Sequence, residues 1–102
     1  MSHTVLNNKA DFDKALETKD KNVFIYIHDG GELPESAKNG AAKFEATSAA
    51  FSVDAAVEPK VKDYFQVSEL PAAVIYKDGK ELKKFEGLNQ EHMGEIGSIL
   101  SV

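Results

Sequence analysis

The pattern of hydrophobic and polar residues varies along the chain, and one segment is continuously hydrophobic. Residues 23–27 read Val-Phe-Ile-Tyr-Ile, an uninterrupted run of β-branched and aromatic side chains. Such a run is typical of a central strand that is buried on both faces, as in parallel sheets. Short β-prone stretches at residues 4–6 and 51–55 predict two more strands.

A hairpin is predicted in the last third of the chain. Residues 72–76 form an apolar strand, Asp78-Gly79 is a strong turn signal, and residues 82–85 form the returning strand. Gly87 then ends that strand, since glycine is unfavourable in a strand interior.

Apolar residues at helical spacing predict four helices. These helices cover residues 9–18, 35–49, 59–65 and 90–100. Asn8 is a favourable N-cap for the first helix, and Pro59 suits the first position of the third. The predicted order is βαβαβαββα, in which three strands linked by helices precede an antiparallel hairpin. We expect an α/β fold with a mixed sheet of four or five strands, centred on residues 23–27 and flanked by helices on both faces.

Length and composition describe a small globular protein. The 102 residues correspond to one domain, residues 1–102, with no linker and no internal repeat. Hydrophobic residues make up 42% of the chain and charged residues 28%, which is usual for a soluble protein. The apolar stretches are too short for a membrane span, and residues 1–8 lack the features of a secretory signal. We therefore expect a cytoplasmic protein that is a monomer or a weak oligomer and does not engage a membrane.

The charge balance argues against nucleic acid as a partner. The formal net charge is −5, and most basic residues are interleaved with acidic ones. Phosphate binding needs clustered lysine and arginine. The basic cluster of the chain surrounds the predicted turn and consists of Lys77, Lys80, Lys83 and Lys84. Neighbouring carboxylates dilute this cluster, which is typical of a charged edge hairpin that resists pairing with other sheets.

The chain contains no cysteine. This absence excludes disulfides, thiolate nucleophiles, iron–sulfur clusters and cysteine-type zinc sites. Other chemistry has little support. His28 and Asp29 follow the central strand, close to Ser36, but no oxyanion donor or second histidine accompanies them. The more economical interpretation is a polar loop that caps a helix.

Neither a metal site nor a nucleotide site is indicated. Glu91, His92 and Glu95 lie within one turn of the last predicted helix, where a solvent-facing helix commonly carries such residues. Gly30-Gly31 is not followed by the lysine and hydroxyl residue of a phosphate-binding loop. We therefore expect no cofactor and no metal.

Five stretches in this order resemble thioredoxin over about 80 residues of the chain. The most specific is residues 69–81, Glu-Leu-Pro-Ala-Ala-Val-Ile-Tyr-Lys-Asp-Gly-Lys-Glu, which is similar to the family's proline-led strand and its Lys-Asp-Gly-Lys turn. The other stretches are Phe12 with Leu16, residues 23–27, Glu58-Pro59 with residues 64–67, and Phe85-Glu86-Gly87 ahead of an amphipathic helix. The resemblance implies a thioredoxin fold with a cis peptide bond before Pro71.

The redox motif of that family is missing. The best alignment sets Leu33-Pro34-Glu35-Ser36 against Cys-Pro-Asp-Cys, so that Leu33 replaces the nucleophile and Ser36 the resolving cysteine. The buried acid that assists proton transfer in the family falls at or near Ile25. The tryptophan that usually precedes the motif is Glu32 here. The resemblance therefore implies a domain without disulfide chemistry.

The resemblance also implies a groove for an extended peptide. In the thioredoxin fold such a peptide pairs with the backbone just before the cis-proline, beside the former motif. The residues implied for this groove are Gly30, Gly31, Leu33, Pro34, Ser36, Glu69, Leu70 and Pro71. Leucine in place of a thiol makes the groove more apolar. The alternative is that these residues only pack the loop against Pro71.

The sequence thus favours a redox-inactive, non-enzymatic domain that binds a protein or peptide or serves as a structural adaptor. Two alternatives stay open. One is a different enzyme of this fold, such as a glutathione-linked one that uses Ser36 or a backbone site. The other is a thioredoxin scaffold whose cysteines were removed by engineering.

Overall fold

The computed structural model describes residues 4–18, 21–30, 38–39, 42–44 and 46–100. The elements in chain order are β1 Thr4–Val5, α1 Lys9–Leu16, β2 Asn22–His28, β3 Ser48–Asp54, α2 Val61–Phe65, β4 Ala72–Lys77, β5 Lys80–Glu86 and α3 Gln90–Leu100. Short helical pieces at residues 38–39 and 42–43 lie within the second predicted helix. Within the described ranges, no helix combines the length and apolar character needed to span a bilayer.

The five strands form one mixed sheet in the order β1-β3-β2-β4-β5. β1, β3 and β2 run parallel, whereas β2 pairs antiparallel with β4 and β4 antiparallel with β5. At the centre, Ile25 lies opposite Phe51 on one side and Val74 on the other. The prediction that residues 23–27 form the central strand is confirmed.

The central strand contributes to a separate hydrophobic cluster on each face of the sheet. Val23, Ile25 and Ile27 belong to the cluster under α1 and α2, whereas Phe24 and Tyr26 belong to the cluster under α3. Successive side chains of a strand point to opposite faces. Because both faces are covered, every position of residues 23–27 must be apolar or aromatic, and this explains the uninterrupted run.

The hairpin turns at Asp78 and Gly79, as predicted. Their φ angles are +54° and +80°, and two positive values are the signature of a type I′ turn. Glycine adopts such angles at no steric cost, and aspartate tolerates them better than most residues. The two strands, β4 and β5, extend beyond the predicted residues 72–76 and 82–85.

Four boundaries in the structure differ from the predicted ones by a few residues. β3 begins at Ser48 rather than at residue 51, so the helix predicted for residues 35–49 must end before it. Parallel pairing with β2 starts at Asn22 opposite Ser48 and draws two alanines into the sheet. α2 begins at Val61, two residues after Pro59, and its N-cap position, Lys60, makes no side-chain cap. α1 ends at Leu16 rather than at residue 18.

Polar side chains from β2 and β3 bind the carboxyl end of α3. The last carbonyls of a helix have no partner within the helix. The Asn22 side chain donates to the Ile99 carbonyl at 3.3 Å, and the Ser48 hydroxyl donates to the Leu100 carbonyl at 3.1 Å. The Thr47 hydroxyl donates to the same Leu100 carbonyl. These contacts hold α3 against the sheet.

Removing the hydroxyls of Thr47 and Ser48 should destabilise the protein. In a Thr47→Val, Ser48→Ala double variant the Leu100 carbonyl loses both of these donors, which should lower the free energy of unfolding by about 1–3 kcal/mol. Urea unfolding followed by far-UV circular dichroism measures this, since the chain has no tryptophan. Thr4→Val is the control, because Thr4 is exposed on β1 and the change should cost less than about 0.5 kcal/mol. Equal losses in the two proteins would contradict the capping role.

Candidate functional site

The groove implied by the resemblance lies where β2 ends and β4 begins. Ile27 pairs with Ala72, so Pro71 directly precedes the first paired residue of β4. β2 ends one residue later, at His28. Sites in α/β folds are commonly found at the carboxyl ends of strands, as this one is. The chain that leads into β4, residues 69–71, therefore has β5 on one side and the end of β2 on the other.

The segment from Glu69 to Pro71 is tied to the chain that follows β5. The Gly87 N–H donates to the Glu69 carbonyl at 3.3 Å, and the Leu88 N–H donates to the Pro71 carbonyl at 2.9 Å. The peptide bond between Leu70 and Pro71 is cis. In the part of the chain that the structure describes, nothing hydrogen-bonds to the backbone N–H or C=O of Leu70. Among the described residues, the Leu70 peptide groups are therefore not used by the sheet or by the chain after β5.

Gly87 is required for this arrangement. Its φ is +59°, and a Cβ at this position would lie 2.5 Å from the Glu69 Oε2 atom. The Glu69 side chain thus occupies the space in which a side chain of residue 87 would lie. A residue with a side chain would be strained by the backbone angle and would also displace Glu69.

A carboxylate at the end of β5 fixes the chain just before Glu69. Glu86 accepts hydrogen bonds from the Ser68 N–H at 2.6 Å and from the Ser68 hydroxyl at 3.1 Å. The backbone hydrogen bond from Ser68 is the main cause of a lowered pKa at Glu86. The Lys84 ammonium donates to the Gln66 carbonyl at 2.9 Å. Both ends of the segment that carries Leu70 are therefore held to β5 or to the chain after it.

A second carboxylate joins the loops that follow β2 and β3. Asp54 Oδ1 accepts the Gly30 N–H at 2.8 Å and the Ala56 N–H at 2.9 Å. The Ala55 N–H donates to the His28 carbonyl at 2.7 Å, which extends the pairing of the two strands. The hydrogen bonds from Ala56 and Gly30 lower the pKa of Asp54. Gly30 has a φ of +76° and is thereby fixed at the edge of the groove.

His28 contacts the loop that follows β2. Its Nδ1 lies 3.2 Å from the Gly30 carbonyl, and since a carbonyl only accepts, this nitrogen donates. The imidazole ring stacks on Tyr26 with 5.9 Å between the ring centroids. Across the described residues, no group of three histidine, aspartate or glutamate side chains is arranged to hold a metal ion.

Four of the eight residues implied for the groove can be located. Gly30, Glu69, Leu70 and Pro71 lie at the same end of the sheet. Leu70 and Pro71 are half-buried and Glu69 is exposed. The remaining four lie outside the described residues: Gly31, Leu33, Pro34 and Ser36. Ile25, at or near the position of the family's proton-transfer acid, is fully buried in the sheet.

Sequence reasoning missed the two carboxylates that fix this site. Asp54 falls inside the strand predicted for residues 51–55, and Glu86 belongs to the stretch Phe85-Glu86-Gly87 that carries part of the resemblance. A signal for Asp54 was present, because aspartate at a strand end favours hydrogen bonds to backbone N–H groups one or two residues ahead. Nothing in the sequence pairs Glu86 with Ser68, which lies 18 residues earlier.

The comparisons with known proteins identify the fold. No protein-family model matches the sequence, and no curated protein matches it. Among solved structures, the thioredoxin of Malassezia sympodialis aligns with a TM-score of 0.77 at 16% identity, over 99% of this chain and 92% of that one. A mutant thioredoxin from Halobacterium salinarum aligns with a TM-score of 0.78 at 16% identity, over 97% and 88%.

The thioredoxin of Fasciola hepatica aligns with a TM-score of 0.66 at 26% identity, over 94% of this chain and 97% of that one. This chain has the thioredoxin fold. Unlike a thioredoxin with its Cys-x-x-Cys motif, it has no cysteine. Thiol–disulfide exchange requires attack by a thiolate on a disulfide sulfur. The side chains of this thioredoxin-fold protein therefore cannot carry it out.

The Asp54 hydrogen bonds should be visible in the dependence of stability on pH. Because the folded pKa is lowered, the stabilisation by Asp54 is fully present above its unfolded pKa of about 3.9 and is lost as the pH falls through the folded value. Asp54→Asn keeps an acceptor oxygen but does not titrate. Its urea midpoints between about pH 7 and pH 2 should therefore fall less steeply at the acid end than those of the wild type.

The matched control is Asp63→Asn. It removes an exposed carboxylate on α2 and breaks no hydrogen bond between two loops. Its urea midpoints should fall at low pH as steeply as those of the wild type. If the urea midpoints of Asp54→Asn and the wild type fell identically at low pH, the role assigned to Asp54 would be contradicted.

Proposed function

We propose that this protein binds an extended segment of a partner protein by strand addition at Leu70, and that recognition has replaced redox chemistry on the thioredoxin fold. The observation that carries the proposal is the backbone of Leu70, which lies beside the end of the central strand and is hydrogen-bonded to none of the described residues. An extended peptide that adds to a sheet gains affinity from main-chain hydrogen bonds and specificity from alternate side chains.

The Leu70 peptide groups are not used by the chain after β5. That chain donates hydrogen bonds to the carbonyls on either side, those of Glu69 and Pro71. In the proposed complex the Leu70 groups pair with a segment that lies along the line of β2. Since β2 ends at His28, a partner segment can occupy that line.

The edge around Leu70 is preorganised. The hydrogen bonds from Gly87 and Leu88 fix the segment from one side, and the Glu86–Ser68 pair fixes the chain that leads into it. Preorganisation raises affinity because less conformational entropy is lost on binding. The hydrogen bond to Asp54 likewise fixes Gly30, on the opposite side of the groove.

The charges beside the groove favour a basic partner segment. Asp29, in the loop after β2, and Glu69 are both exposed. Lys84, on β5, donates to the Gln66 carbonyl. The chain as a whole carries a net charge of −5. We therefore expect the bound segment to combine apolar residues with lysine or arginine, which the surrounding carboxylates attract.

Selection from a random linear peptide library on the immobilised protein tests the proposal. The strongest binder is then resynthesised with a single N-methyl group at each position in turn. Strand addition predicts that methylation at the residue paired with Leu70 weakens binding about tenfold or more, through loss of hydrogen bonds worth about 1 kcal/mol each and a steric clash. Methylation at the adjacent residues, whose N–H groups point away, should have little effect. Fluorescence polarisation measures each affinity.

Two charge reversals locate the site. Glu69→Lys, beside Leu70, should weaken binding of a basic peptide, whereas Glu81→Lys, an equally exposed change on β5 near the hairpin turn, should not. A library that yields no binder, or a binder that tolerates N-methylation at every position, would contradict strand addition.

A further inference from the structure

A second concave site lies between β1, α1 and α2, and it shares no residue with the groove beside Leu70. It is a cleft of about 280 Å³. Its apolar lining consists of Leu6, Phe12, Val53, Val61, Tyr64 and Phe65. The volume lies just below the range for ligand cavities, about 300–1,000 Å³, and suits one ring or two fused rings.

The wall of the cleft is a fixed set of aromatic rings. The Phe12 ring meets Tyr64 at 5.3 Å and Phe65 at 5.0 Å between centroids, both nearly perpendicular. This edge-to-face geometry is favourable between aromatic rings. Phe12 and Phe65 are buried, but Tyr64 is 47% exposed. Tyr64 therefore offers aromatic surface to a molecule in the cleft.

The rim of the cleft carries charged side chains of both signs. Lys9, Lys60 and Glu58 line it, together with Asn7 and Asn8. Among the described residues, the only ion pair within 4 Å joins Lys9 to Asp13 at 3.9 Å. The Lys60 ammonium therefore has no carboxylate partner in that part of the chain, and it is the cation of the rim with which a ligand anion can pair.

We propose that this cleft binds a small aromatic carboxylate. The ring of the ligand packs against Phe12 and Tyr64, and its carboxylate pairs with Lys60. Apolar burial supplies most of the affinity, while the ammonium selects an anion over its neutral analogue. The site requires no metal, thiol or covalent step.

Titration with indole-3-propionate, followed by protein NMR, tests the proposal directly. Saturable shifts are expected at Val53, Val61 and Tyr64. The neutral indole-3-propanamide should produce shifts at the same residues but bind about threefold to fivefold more weakly, as is usual for loss of an exposed ion pair. Absence of saturation at about 10 mM, shifts confined to other residues, or equal affinity for acid and amide would overturn the proposal.

Lys60 and Lys62, which are two residues apart in the sequence, provide a matched pair of variants. Lys60→Gln should weaken binding of the acid about threefold to fivefold and leave binding of the amide unchanged. Lys62→Gln, in α2 and not part of the cleft lining, should leave both affinities at the wild-type values. Tyr64→Ala, a change at a half-exposed residue, should weaken both ligands. Equal effects of Lys60→Gln and Lys62→Gln on the acid would overturn the assignment of Lys60.

Discussion

The antiparallel pairing of β2 with β4 is the constraint on which the rest of the structure depends. The two strands lie side by side in the middle of the sheet, and Ile25, Ile27, Val74 and Ile75 have no exposed surface at all. Alternate residues of each strand contribute to different clusters, so the pair joins the core under α1 and α2 to the core under α3. The same pairing sets where the proposed binding edge lies. β4 begins beside residue 27, and the chain just before it lies between the end of β2 and the chain that follows β5.

Three ionisable groups around that edge hold the backbone in place. Asp54 joins the loops after β2 and β3, Glu86 holds Ser68, and the His28 ring donates to a carbonyl. Each carboxylate accepts two hydrogen bonds from neighbouring groups, and this lowers its pKa. Isoleucine occupies the position at or near which the family keeps its buried acid. The thioredoxin fold is thus kept here without its thiols, and the edge around Leu70 is the feature on which the proposed recognition rests.

The features that depend on local pattern could be predicted, and those that depend on distant contacts could not. The apolar run at residues 23–27, the Asp-Gly turn and the spacing in residues 90–100 each determine one element, and all three are confirmed. The start of β3 was missed because Ser48 and the alanines after it have weak β-propensity and enter the sheet only through pairing with β2. The cleft beside Phe12 was invisible for the same reason, since its walls come from segments about 50 residues apart.

Amide hydrogen exchange at Leu70, resolved by NMR, tests the central claim most directly. The Gly87 and Leu88 amides donate to the carbonyls on either side and serve as internal references. In the free protein, the Leu70 amide should exchange near the rate of an unprotected peptide, while both references are protected. Addition of a selected peptide should then slow exchange at Leu70 to the level of the references. A Leu70 amide as protected as Gly87 and Leu88 in the free protein would contradict the account.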